Sequence, residues 1–184
     1  MFRFPSHRRA ERDAAARIYA AAFAAARRPA LYLQYGVPDT LQGRFEMVTL
    51  HLFAVLHRFM HDPGDEPELA RLISERFVDD MDGAFREMGV SDLSVPQRMR
   101  ALYGSFAGRV SAYEHAIADE DGRLADAIAR NVFPEAADKR HATALASYLG
   151  EAVEQFRCAD AAALRLGELP FPALSEAEGE GRRA

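Results

Sequence analysis

His51, His57 and His61 lie close together in a segment of helical period. At about 100° per residue, His57 and His61 share one face and His51 points roughly 80–120° away. Two imidazoles four residues apart can hold one divalent ion. A helical zinc protease, however, needs a glutamate directly after the first histidine, and Arg58 stands there. Two roles stay open for the pair: ordinary side chains at a helix surface or core edge, or a metal pair completed by a carboxylate such as Asp79. The acidic cluster Asp79, Asp80 and Asp82 raises a second question. On a helix, Asp79 and Asp82 point away from the apolar stripe of Ile73, Phe77 and Ala84, whereas Asp80 falls within it. A carboxylate there needs a cation or several donors, because burying a lone charge is costly. Arg44 and Arg109 each lie beside an apolar stripe, so the expectation is a buried or half-buried ion pair between Asp80 and one of them.

A third pattern is made of small residues. Ala101, Gly104, Gly108, Ser111 and His115 share the back of a segment whose front is Val95, Met99, Leu102, Phe106, Val110, Tyr113 and Ile117. Each glycine inside a helix costs about 1 kcal/mol against alanine. Small residues at this spacing let another helix approach closely, either a neighbour within the domain or a helix of a bound client. There is no glycine-rich phosphate loop, no Gly-x-Ser-x-Gly elbow and no Cys-His motif, and Cys158 is isolated. No cofactor is expected.

The elements that must carry these residues are helices. Prolines and glycines punctuate long segments of helical period, and strand-like alternation is nearly absent. The periodicity predicts an alanine-rich helix over residues 6–28, ended by Pro29 because the residue before proline avoids helical geometry. A second helix is predicted from Asp39, read as an N-cap with Gln42 three residues on. It carries Leu41, Phe45, Val48, Leu52 and Phe59 on one face and Met47, Leu50, Phe53 and Ala54 on the others. A helix apolar nearly all round is buried at a centre or waits for a partner. Further helices are predicted over 67–88 before Gly89, from Ser94 with Gln97 completing a capping box, over 122–132, and from Pro134 to Cys158. Asp160 is read as the cap of a last short helix ending at Gly167. The fold expectation is all-α: a single-domain bundle of about six helices with a disordered C-terminal tail. The chain is divided into a basic helix over 1–29, a helical domain over 30–169 and a polar tail over 170–184.

The 184 residues are enough to bury a real core, with a hydrophobic fraction of 49% and a charged fraction of 28% ordinary for a globular chain. One cysteine excludes an internal disulfide and a cysteine metal cluster. Residues 1–28 hold seven arginines against two acids, a net of +5, and the formal charge of −5 then leaves −10 for the rest. An acidic body argues against specific DNA binding. The basic head leaves an anionic contact at one end, with a membrane surface or ribosomal RNA as its object. The longest uncharged apolar run, 47–57, is about half the ~20 residues of a spanning helix. The expected location is the cytoplasm, peripheral at the inner face of the membrane, or the mitochondrial matrix in a eukaryotic source.

Two blocks of sequence resemble a known family. The first is Tyr35-Gly36-Val37-Pro38-Asp39-Thr40-Leu41-Gln42-Gly43-Arg44-Phe45-Glu46, running into Leu50-His51-Leu52-Phe53. The second is Phe77-Val78-Asp79-Asp80-Met81-Asp82, then Arg86-Glu87-Met88-Gly89-Val90, on to Met99-Arg100-Ala101-Leu102-Tyr103-Gly104. In this order they resemble the ubiquinol–cytochrome c chaperone family, over roughly residues 30–158. The resemblance implies a non-enzymatic assembly factor of the respiratory ubiquinol–cytochrome c reductase that binds newly made cytochrome b. For mitochondrial members it also implies a small partner protein and contact with the ribosome exit. Those members carry a longer N-terminal region, so this chain looks like a compact bacterial member.

A client made of apolar helices needs a groove bordered by small residues and lined by aliphatic and aromatic ones. The expected surface combines the back of the fourth long helix at Gly104, Gly108 and Ser111 with the second helix at Leu50, Phe53 and Ala54, together with Tyr35 and Arg44. The alternative is that these two surfaces pack on each other inside the domain. Competing functions are a helical metalloenzyme using His57, His61 and a nearby carboxylate, and a helical adaptor of unknown client.

Overall fold

The computed structural model describes residues 5–61, 66–87, 89, 91–119, 122–135 and 139–174. These residues form eight helical segments: α1 (Pro5–Ala26), α2 (Pro29–Leu33), α3 (Leu41–His61), α4 (Pro67–Glu87), α5 (Val95–Ala118), α6 (Arg123–Val132), α7 (Arg140–Cys158) and α8 (Ala161–Leu166). No strand occurs among the described residues. Six of the segments have ten residues or more, in keeping with the all-helical expectation.

The apolar character of α3 on every side puts it at the centre. Every residue from Glu46 to Leu56 is buried, and α1, α4, α5, α6 and α7 all pack around it. Leu50, Phe53 and Ala54, read as surplus apolar surface, are completely covered. They form the middle of the core, where each large side chain is worth about 1.5–3 kcal/mol.

The first helix belongs to the same body. Ile18, Tyr19, Ala22 and Ala26 are buried against the common core. Alanines let α1 lie close along both α3 and α4, so the chain has no spatial boundary at residue 29. The Tyr19 hydroxyl adds a polar tie to α4 by donating to Asp80 Oδ2 at 2.9 Å. Burial, and then this hydrogen bond, push the hydroxyl well above its usual range, so it stays the donor.

Several ends differ from the reading of sequence. The N-cap of α3 is Thr40, whose Oγ1 accepts from the Gly43 N–H at 3.1 Å, and Asp39 instead pairs with Arg44. Ser94 does begin α5 but makes no side-chain cap. It bonds Ser91 through their hydroxyls, so no capping box with Gln97 forms. The α7 helix starts at Arg140, well after Pro134. Asp160 caps α8 as expected, accepting from Ala163 N–H at 3.1 Å. Residues 170–174 are not tail. Phe171 packs its ring on His51 at 4.7 Å and on Phe156 at 4.9 Å, and Arg28 donates to the Pro172 carbonyl. Residues 175–184, read as a disordered tail, and Met88 lie outside the described residues.

Candidate functional site

The segment from Tyr35 to Glu46 turns the chain from α2 into α3, and its side chains hold that corner. Gly36 has φ +67°, and a Cβ there would meet the His141 ring at 2.9 Å, so both conformation and space require glycine. Gly43 has a harder constraint. A Cβ at this position would lie 1.9 Å from the Pro38 carbonyl oxygen, so the corner closes only over a bare backbone. Arg44 and Asp39, both exposed, pair at 2.7 Å across the corner. The hydrogen bond from Arg44 holds the Asp39 carboxyl below its usual range.

Inside the corner sits a buried ion pair. Glu46 is fully buried, and the Arg109 guanidinium of α5 grips it with two bonds of 2.6 Å, one to each carboxylate oxygen. Arg109 also lies over the Phe45 ring at 5.3 Å, and Gln42 donates to Glu46. The ion pair expected for Asp80 is therefore not made with Arg109 or Arg44. Asp80 is half-buried at the edge of its stripe, where Tyr19 and, at 3.6 Å, Arg76 of its own helix serve it. The physical reason is the way α5 docks. Its C-terminal half runs beside α3 from Glu46 to His61 and brings Arg109 to the carboxylate enclosed at Glu46, while Arg44 finds Asp39 five residues back. The signal was present in the sequence: Glu46 is a carboxylate just ahead of the most apolar stretch of the chain.

The same corner forms one wall of an open cleft between α1, α3 and α4. The cleft encloses about 230 Å³ and is lined by Phe23, Leu41, Phe45, Val48, Phe77 and Met81, with Arg27 and Arg44 at its rim. Leu41, in the first turn of α3, is 73% exposed, and Leu33 at the end of α2 is 82% exposed. The floor is rigid. Phe45 packs on Phe77 at 6.4 Å and Phe77 on Phe106 of α5 at 4.8 Å. Of the expected client-site residues, only Arg44 borders the cleft. Leu41 and Phe45 share one predicted apolar face of α3 with Val48, and Phe23 and Met81 come from other helices, a juxtaposition that periodicity cannot show.

The outer face of α5 is a separate surface. Ala101, Gly104, Gly108 and Ser111 are exposed, and a Cβ built on either glycine meets nothing within 4 Å. The small-residue stripe is therefore not filled by a neighbour among the described residues. The alternative in which it packs on Leu50, Phe53 and Ala54 fails, because those residues point into the core and the stripe points out of it.

Tyr35 belongs to a third arrangement, behind the corner. Its ring meets Tyr148 at 6.1 Å. Tyr148 accepts a hydrogen bond from Arg28 and donates to His51 Nε2 at 2.9 Å, while His51 Nδ1–H donates to the Met47 carbonyl at 2.7 Å. This is the one arrangement in which each atom has a partner of the right kind, and it requires neutral His51. Burial pushes the imidazole down to about 3, and the nearby Arg28 charge adds to that. The unfolded chain takes up a proton near pH 6.5 and the folded chain does not. Stability is therefore full above about pH 6.5 and falls as pH drops toward 3. His51 alone should contribute a slope of up to about 1.4 kcal/mol per pH unit in that window. Urea unfolding from pH 7 to pH 4 measures it, and His51→Gln should flatten the curve. An unchanged slope in that variant would assign the acid sensitivity elsewhere.

His57 and His61 point away from His51, toward α5, as the helical angles require. Their carboxylate neighbour is Glu114. Asp79 instead borders a cleft between α1 and α4 with Arg12, Leu72 and Arg76, so the suggested grouping of Asp79 with the histidines does not form. Arg58, between the two, donates to the Phe156 carbonyl at 3.0 Å and joins α3 to the end of α7.

A profile of the family described as "Ubiquinol-cytochrome C chaperone" matches residues 33–171. The chain belongs to this family. The match begins at the end of α2 and ends at Phe171, so it takes in the corner, the Glu46–Arg109 pair and the core segment that follows α8. Among solved structures, the crystal structure of the Cbp3 homolog from Brucella abortus superposes with a TM-score of 0.81 at 35% identity, covering 92% of this chain and 94% of that one. The ubiquinol-cytochrome-c reductase complex assembly factor 1 of Xenopus laevis is 25% identical over 146 residues, 78% of this chain and 73% of that protein. The Homo sapiens protein of that name is 25% identical over 124 residues, 67% of this chain and 42% of the human one. The chain thus spans under half of the human relative. The family is one of reductase assembly factors, and its members are not enzymes. No helix of the described residues is long and apolar enough to cross a membrane.

Proposed function

We propose that this protein is an assembly chaperone that holds newly made cytochrome b on its way into ubiquinol–cytochrome c reductase, and that the client lies against the cleft of Leu41, Phe45 and Met81. The observation that carries this reading is the open cleft itself. A family segment folds into a corner whose outer side presents large apolar residues to solvent, with a floor held by the Phe45–Phe77–Phe106 stack. Exposed Leu33 and Leu41 gain nothing in the free protein. Against an apolar client helix each is worth about 1.5–3 kcal/mol of burial. Arg27 and Arg44 at the rim suit the polar ends of such a helix. The outer face of α5 at Gly104, Gly108 and Ser111 is the second surface of this reading, where a client helix can approach the backbone closely.

The exposed Arg8, Arg9, Arg12 and Arg17 of α1 complete the reading as an anionic contact at the membrane surface where cytochrome b is inserted, with ribosomal RNA as the other possible object. The protein then works on the cytoplasmic side of that membrane in a bacterium, or in the matrix of a mitochondrion.

Gene replacement tests the proposal. Deletion should lower assembled reductase and cytochrome b together, and the wild-type gene should restore both. Leu41→Asp, on an exposed side chain, should fold normally and fail to restore them. Gly108→Leu should also fold, since its side chain enters open space, and should restore only partly. Normal reductase in the deletion strain would refute the assembly role. Full rescue by Leu41→Asp would remove the cleft from it.

A further inference from the structure

The chaperone reading makes no use of His57, His61 and Glu114, yet these residues form the best-organised cluster of ligating groups among the described residues. His57 and His61 stand one turn apart on the face of α3 turned toward α5, and Glu114 of α5 reaches between them. Its Oε2 is 3.1 Å from His57 Nδ1 and its Oε1 is 3.3 Å from His61 Nε2. The three ligating atoms all lie within 4.8 Å of one another. Around a tetrahedral ion with bonds of about 2.0–2.1 Å, ligand atoms are roughly 3.3–3.4 Å apart. Each imidazole–carboxylate separation is close to that spacing, His57 through one oxygen of Glu114 and His61 through the other. Rotation about side-chain bonds of the three residues, whose ligating atoms lie within 4.8 Å of one another, would bring them onto one ion.

Burial grades across the site in a useful way. His57 is 18% exposed and Glu114 34%, so the helix interface holds both, whereas His61 is 47% exposed and leaves a route for an ion and a water. Two imidazoles and one carboxylate are the donors of Zn²⁺ and its transition-metal neighbours, whereas Mg²⁺ and Ca²⁺ want oxygen alone. With three protein ligands, water takes the fourth position. Elsewhere the two helices that supply the ligands meet through the Glu46–Arg109 pair and through Phe53 against Tyr113 at 5.6 Å.

We propose that His57, His61 and Glu114 bind one divalent transition-metal ion, Zn²⁺ being the best matched, and that the ion staples the C-terminal half of α3 to α5. The site is separate from the cleft, and its role is to fix the helix whose outer face carries Gly104 and Gly108.

The test uses the full chain, stripped with a chelator and titrated with Zn²⁺ by calorimetry and with Co²⁺ by visible absorption. The expected result is one Zn²⁺ per chain, and Co²⁺ bands with the intensity of a four-coordinate ion. Zn²⁺ at about a hundred times its Kd should raise Tm by roughly 5–10 °C. His61→Ala and Glu114→Gln should each weaken Zn²⁺ binding by at least about tenfold, with the metal-free Tm showing that both variants fold. His115→Ala, one residue from Glu114 but facing its own helix at Ser111, should bind as the parent does. Absence of stoichiometric Zn²⁺ uptake would overturn the proposal and leave the cluster a hydrogen-bonded clasp. So would uptake that the His61 and Glu114 variants leave unchanged. The Co²⁺ spectrum of the unaltered chain decides the matter even if a variant fails to fold.

Discussion

Arg109→Ala should destabilise the protein by about 3–5 kcal/mol, the range for removing one partner of a buried ion pair. Its partner Glu46 is fully buried, so the truncated protein must keep a buried carboxylate with Gln42 as donor and no cation, or protonate it. Removing the guanidinium also takes away the cation that covers the Phe45 ring and so loosens the floor of the cleft. Urea denaturation measures the loss, which corresponds to a Tm lower by roughly 10 °C. The double variant Glu46→Leu/Arg109→Met should recover most of it, because a well-packed apolar pair commonly matches a buried ionic one. With the single variants Glu46→Leu and Arg109→Met, this double variant closes a cycle whose coupling should exceed about 1 kcal/mol for groups in direct contact. A loss within about 0.5 kcal/mol for Arg109→Ala, the usual surface range, would mean that water reaches Glu46.

Gly43→Ala should be as damaging, for a different reason. One methyl group at this position would sit 1.9 Å from the Pro38 carbonyl oxygen. That atom is backbone at a proline and cannot rotate aside. The corner or the first turn of α3 must move, at a cost of at least ~3 kcal/mol, the upper end for overpacking. Gly104→Ala and Gly108→Ala offer the opposite case. Both glycines are helical with open space around them, so alanine should stabilise α5 by about 0.5–1 kcal/mol at each. Thermal melts of the three variants should therefore split, one far below the parent and two slightly above it. A mild effect at Gly43 would show that the corner is plastic. Destabilisation at Gly104 or Gly108 would show that something covers the outer face of α5.

The helices were legible where apolar residues recur at steps of three and four and where a proline or capping aspartate marks the start or a glycine the end, as at Pro67, Asp160 and Gly167. The packing partners were less so. Leu50, Phe53 and Ala54 looked like surplus surface because an all-apolar helix reads the same whether it is central or awaiting a client. Only the arrival of α1, α4, α5 and α7 on its sides decides. The role of α1 was hard to see because it packs through alanine, which carries little hydropathy but permits close approach. A carboxylate within an apolar stripe does need a cation, but the enclosed acid is Glu46, and Asp80 is half-buried beside Tyr19. Periodicity gives the face a residue occupies, not the neighbour it meets, and Glu46 meets the arginine. The family blocks were readable as blocks, but the cleft they help to build draws Phe23 and Met81 from helices apart in sequence.

The central claim is that the cleft at Leu41 holds newly made cytochrome b. Site-specific photo-cross-linking during synthesis of the client tests it most directly, with the photoreactive residue placed at Leu41, at Gly108 and, as a control, at Arg157 on the exposed side of α7. The account predicts an adduct with newly synthesised cytochrome b at Leu41, a weaker one at Gly108 and none at Arg157. No cytochrome b adduct at Leu41, or equal adducts at Leu41 and Arg157, would contradict it.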